Sequence, residues 1–135
     1  MQRGKIRNRE RAKQLRDFTG LRFGRITPTD IDAFLEFGDV LFILIESKQE
    51  GAQLPYGQKT ALERLCDAVQ GTKTPTNQER QAYILIVHHT TTETDQDVDY
   101  GASMVSSVRY KRKWCPPKEP ITCRQAIDKI REQWL

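Results

Sequence analysis

Two strand-like runs meet at a tight turn between residues 30 and 48. The first covers about 30–37 and follows Thr27-Pro28-Thr29. Gly38-Asp39 turns the chain, and Val40 to Lys48 forms the second, with six consecutive apolar residues from Val40 to Ile45. An apolar body of that kind predicts a central strand buried on both faces. Residues 56–70 carry Ala61, Leu62, Leu65, Ala68 and Val69 at helical spacing, with Gly71 as a stop. Ala82 to His88 predicts another buried strand. Val105 to Trp114 predicts a basic strand ended by Pro116-Pro117. Thr122-x-x-Gln125, preceded by Ile121, predicts a capping box opening a final helix with Ala126, Ile127, Ile130 and Trp134 in one stripe. Upstream, residues 5–18 predict a largely polar helix stopped at Gly20, and Leu21 to Ile26 a short strand. The order predicts an α/β (α+β) domain with a small mixed central sheet flanked by helices.

Size and composition narrow the picture. A chain of 135 residues, 37% hydrophobic, is expected to form one domain over 1–135. It divides into a basic N-terminal helix (1–20), a core (21–90) and a C-terminal strand and helix (105–135). No run is long enough to span a membrane, and Met1 to Lys5 opens no apolar leader. Cys66, Cys115 and Cys123 are odd in number and form no C-x-x-C pair, which argues against a disulfide framework or thiolate zinc site and for a reducing cytoplasm.

Charge changes the picture further. Residues 1–25 hold nine Lys/Arg against Glu10 and Asp17, a net +7 in a chain whose total is +4, so the rest is net negative. A second basic cluster is Arg109-Tyr-Lys-Arg-Lys113. Concentrated positive charge fits a polyanion, with Arg3, Arg7, Arg11, Lys111 and Lys113 as candidate phosphate contacts. An exposed edge strand guarded by lysine is the plainer explanation of the second cluster. The alternating acids Glu93, Asp95, Asp97 and Asp99 do not complete an EF-hand, because Gly101 is one place late and position twelve is Ser106.

The hairpin carries the candidate chemistry. Glu46 and Lys48 share one face of their strand; Asp30, Asp32 and Glu36 share one face of theirs. A two-residue turn at Gly38-Asp39 would place Asp32 and Glu46 on opposite faces. A three-residue loop at 38–40 pairs Asp32 with Glu46, and one at 37–39 pairs Asp30 with Glu46. Gathering the acids requires an odd-length loop or bulge, which Gly38 can supply. Two carboxylates and a backbone carbonyl can hold Mg²⁺, which acidifies water and stabilises charge on phosphate. A neighbouring lysine can orient that water or neutralise the transition state. The plain alternative is a surface ion pair between Lys48 and Asp30 or Asp32.

Asp30-Ile-Asp32 followed by Glu46-Ser-Lys48 at the end of an apolar strand, and then the helix Tyr56-Gly-Gln58-Lys-Thr-Ala-Leu-Glu63, resembles the PD-(D/E)xK nuclease superfamily, and most of all its small phage and prophage members. The match spans about residues 5–90. It implies a restriction-endonuclease-like α-β-β-β-α-β core and a Mg²⁺-dependent nuclease, with Mn²⁺ as a substitute, acting on nucleic acid, foremost DNA. Carried over, Asp32 and Glu46 are metal ligands and Lys48 is the catalytic lysine. Asp30 competes with Asp32, because the expected Pro-Asp pair is absent. Gln58 matches a helix glutamine of several branches, and Glu10 an N-terminal acid that supports the metal in some. Such nucleases often act as homodimers, so the resemblance allows a homodimer here. Rival expectations are a non-catalytic nucleic-acid-binding module on the same fold and a protein-interaction role for the basic helix.

Overall fold

The computed structural model describes residues 17–90 and 97–135. The expected helix over 5–18, apart from its last two residues, lies outside them, as do Arg3, Arg7, Glu10, Arg11, Glu93 and Asp95.

Among the described residues the fold is α+β: a mixed five-stranded sheet with two helices. The strands are β1 (Ala33–Phe37), β2 (Leu41–Gln49), β3 (Gln81–His89), β4 (Met104–Tyr110) and β5 (Lys113–Cys115). The helices are α1 (Tyr56–Val69) and α2 (Cys123–Trp134). Spatial order follows chain order. Only β2 and β3 are parallel, and α1 is the crossover that a parallel pair requires.

The apolar run of β2 has the predicted cause. Leu41, Ile43 and Ile45 pack with Tyr83, Leu85 and Val87 beneath the Ala126–Ile127 stripe of α2. The opposite parity, Leu44 with Ala82 and Ile84, packs against Leu62 and Cys66 of α1. Strand parity therefore separates two cores. Between Ile86 and Val87 the register with β4 shifts by one, leaving Ser106 as an extra residue whose hydroxyl donates to the Ile86 carbonyl. That bulge lets Val105 face the α2 core with Val108 and Tyr110 while Ser107 and Arg109 face α1. The predicted capping box opens α2: Gln125 N donates to Thr122 Oγ1, and Thr122 N donates to Gln125 Oε1.

Two expectations are corrected. Leu21 to Ile26 is not a strand. A short 3-10 turn (Thr19–Leu21) leads into a tight reversal that pairs Phe23 with Ile26 around left-handed Gly24. The first strand of the expected α-β-β-β-α-β core is thus missing from the sheet. Val105 to Trp114 is two strands, because Lys111 and Arg112 both adopt positive φ and make a hairpin turn between β4 and β5.

All three cysteines are free. Burial pushes the thiols of Cys66 and Cys123 up to about 12 and about 11, so both are inert core atoms. Among the described residues no helix is long and apolar enough to cross a membrane.

Candidate active site

The turn decides the site. Phe37 pairs with Leu41 and Ala33 with Ile45, so the loop is the three residues 38–40. Gly38 and Asp39 both have positive φ, and Val40 N closes the turn on the Phe37 carbonyl at 3.1 Å. Extending that register by one residue sets Asp32 opposite Glu46, the outcome expected of an odd loop at 38–40. Side-chain bonds lock the two strand ends together. Asp32 N donates to Glu46 Oε1 (3.2 Å), and Ser47 N donates to Asp32 Oδ2 (2.9 Å). Of the two competing aspartates, the structure brings Asp32 to Glu46. Asp30 contributes its backbone carbonyl, which accepts from Gln58 Nε2 at 3.4 Å.

Gln58 lies in the first turn of α1 and donates to Glu46 Oε2 at 3.0 Å. The crossover helix thereby reaches over the sheet to the acid at the end of β2. Both Glu46 oxygens are occupied by N–H donors, and the residue is 0% exposed, whereas Asp32 is exposed. The site has a buried acid behind and an open acid in front. Burial, then the Asp32 charge, push the Glu46 carboxyl up to about 7; the Lys48 ammonium opposes them. Lys48 is half-buried, on the same strand face as Glu46, and makes no salt bridge among the described residues. The structural ion pair with Asp30 or Asp32 is therefore not formed.

Sequence reasoning missed Tyr100. The segment Asp99–Ser103 is a compact turn: Ala102 N donates to Asp99 Oδ1, and Ser103 Oγ donates to the Asp99 carbonyl. The start of α2 clamps it, with Cys123 N on the Ser103 carbonyl and Arg124 N on the Gly101 carbonyl. The Tyr100 phenol is thereby set within electrostatic reach of the hairpin acids. Burial first, then the charges of Asp32 and Glu46, raise the Tyr100 pKa, and the Ser47 hydroxyl opposes them. The Ser47 hydroxyl is itself buried with no partner of hydrogen-bond geometry among the described residues. No local signal in the acidic 97–101 stretch marked Tyr100, because only the tertiary turn carries it there.

Lys111 and Lys113 do not join this site. Lys48 lies beside His88, whereas the β4–β5 turn lies beside Tyr83, five residues away along β3. At about 3.3 Å per residue the two ends are roughly 17 Å apart along the strands. Arg109, the first residue of that basic cluster, is buried against α1, its guanidinium on Asp67 (2.7 Å) and Glu63 (3.3 Å). The predicted polyanion face is thus partly consumed within the fold.

Asp32 and Glu46 fit a hard cation as two mutually repelling carboxylates, one of them buried without a salt bridge among the described residues. Water would complete the coordination shell, as Mg²⁺ prefers. Among the described residues no group of three or more His, Cys, Asp or Glu is close enough to form a closed metal cage. Comparison with known protein families, curated proteins and solved structures finds no match to this chain.

The raised Glu46 carboxyl makes stability depend on pH in the metal-free protein. Below the ordinary carboxylate pKa both folded and unfolded chains hold the proton, and this group is neutral to folding. Between about 4.5 and 7 only the folded chain holds it, so stability falls as pH rises, levelling above pH 7. The full effect is on the order of 3 kcal/mol. Urea melts in EDTA at pH 5 and pH 8 are expected to show this loss in wild type and not in Glu46→Gln. Parallel pH profiles for the two proteins would refute it.

Proposed function

We propose that this protein is a Mg²⁺-dependent nuclease, foremost a DNA endonuclease, with a restriction-endonuclease-like arrangement at the hairpin. The observation that carries the reading is the three-residue loop at 38–40, which sets Asp32 opposite Glu46 with Lys48 one turn of the pleat further on. Asp32 and Glu46 would hold the cation. When bound, Mg²⁺ supplies Lewis-acid chemistry, activating water and neutralising charge on the phosphate. Lys48 donates to the attacking water or to a phosphoryl oxygen as charge grows there. Gln58 and the Asp32 amide fix the Glu46 carboxylate through one oxygen each, so the acid is oriented before substrate arrives. Tyr100 packs against the α2-side core, near enough to both acids for their charges to raise its pKa. The open Asp32 edge is where a phosphodiester backbone can approach.

A second reading, a nucleic-acid-binding module without catalysis, is favoured by one fact: no third acidic or histidine ligand joins the pair among the described residues. The deciding experiment incubates labelled single-stranded, duplex and branched DNA, and RNA, with the protein in Mg²⁺, Mn²⁺ or EDTA. Cutting in metal and none in EDTA is the expected result. Salt-sensitive binding with no cutting of any substrate would leave the binding module.

A further inference from the structure

A cavity of about 330 Å³ opens on the α1 side of the sheet, next to the candidate active site. Its floor includes Ile86 and Leu54, and its walls include Lys59, His88, Ser107 and Trp114. The register places it closely. Ile86 is the β3 partner of Glu46, and His88 the β3 partner of Lys48, so the cavity begins one strand spacing, about 4.8 Å, from the acid and the lysine. Lys59 follows Gln58, whose amide holds Glu46, on the same turn of α1.

The lining has a mixed chemistry. Trp114 presents an indole held in place by its Nε1–H donating to Glu63. The exposed Lys59 ammonium hovers 5.3 Å from the ring centroid, so that face of the ring borders solvent. His88 Nε2 meets the Ala52 carbonyl at 3.3 Å, which fixes the imidazole at the rim. An apolar floor, a fixed aromatic wall and a cationic rim match a nucleobase with its phosphate: the base stacks or packs inside, and Lys59 meets the negative charge. The volume is at the low end of the range for small-molecule sites, roughly 300–1,000 Å³, which suits one nucleotide and not a base pair.

We propose that this cavity receives one unpaired nucleotide adjacent to the phosphate at the Asp32–Glu46–Lys48 site, so that the preferred substrate is single-stranded or locally unpaired nucleic acid. Adjacency to the cut rests on the nuclease reading; the cavity's own affinity does not. In duplex substrate the base would first have to leave its stack, which disfavours fully paired DNA.

The test uses the full chain in EDTA, so that binding is read without cutting. The probes are a fluorescein-labelled single-stranded oligonucleotide and the blunt duplex of the same sequence, followed by anisotropy. Wild type is expected to bind the single strand at least tenfold more tightly. Ser107→Leu, which fills the cavity, and Lys59→Ala, on an exposed position, are each expected to weaken single-strand binding about tenfold, the loss of one stacked base, and to leave duplex binding within about twofold. Melting curves check that each variant folds, and Lys59→Ala stands if Ser107→Leu does not. Equal affinity for both probes, or folded variants that bind the single strand like wild type, would overturn the proposal. Its failure is separable from failure of the nuclease reading. Selective single-strand binding without metal-dependent cutting removes the enzyme and keeps the cavity. Cutting without single-strand preference does the reverse.

Discussion

Lys48→Ala is expected to lower Mg²⁺-dependent cleavage about 10²- to 10³-fold while leaving the melting temperature and nucleic-acid affinity nearly unchanged. The size is that of losing one preorganised donor aimed at developing charge, about 3–4 kcal/mol of transition-state stabilisation. Stability should hold because Lys48 makes no salt bridge among the described residues, and its removal strands no buried partner. Its only visible electrostatic role is to ease ionisation of Glu46. Single-turnover cleavage beside a urea melt separates the two kinds of effect. A variant that cuts like wild type, or one that loses stability in place of rate, would sink the catalytic assignment.

Arg109→Ala is expected to have the largest effect on stability of any single charged residue described. The guanidinium bonds Asp67 through two nitrogens, at 3.1 and 2.7 Å, reaches Glu63 at 3.3 Å and lies 5.7 Å from the Trp114 ring centroid. It ties α1 to β4 across the second core. Truncation leaves Asp67 almost buried and without its main counter-charge, which costs roughly 3–5 kcal/mol. For a domain of this size that lowers the melting temperature by on the order of 10–20 °C. Replacing the pair together, Arg109→Met with Asp67→Leu, should recover much of the loss, because the burial penalty of a lone acid disappears. Were Arg109 instead a phosphate contact, its loss would weaken DNA binding and leave the melt in place.

What was legible in the sequence follows from what is local. The body of β2 announced itself through an unbroken apolar run. The start of α2 did so through a capping box whose two bonds are both made. The pairing of Asp32 with Glu46 was legible as a parity condition on the loop, though only the structure selects 38–40. Gln58 could be placed inward from helical spacing, and it bonds Glu46. Other features had no local mark. Lys111 and Arg112 make a left-handed turn without the glycine or asparagine that usually signals one. Leu21, Phe23 and Ile26 look like strand residues but find no neighbouring strand among the described residues and stay exposed. Arg109 reads as surface charge until two acids, more than forty residues earlier in the chain, fold over it. Tyr100 likewise comes within the field of the hairpin acids only through the tertiary fold.

The three-residue loop also makes the site vulnerable in an unusual way. β1 is an edge strand with apolar side chains on both faces: Ala33 and Phe37 rest half-buried on the α2-side core, while Phe34 and Leu35 stay exposed. The loop sets the phase, and the bonds of Asp32 to Glu46 and Ser47 hold it. With the loop and its Phe37–Leu41 closing pair kept, losing a single codon within 33–36 would move Asp32 into the place of Ala33, opposite Ile45 and on the far side of the sheet, with every site residue still encoded. On the nuclease reading, activity would then be lost through spacing alone, and of two sequences identical at Asp32, Glu46, Lys48 and Gln58 one would cut and the other would not.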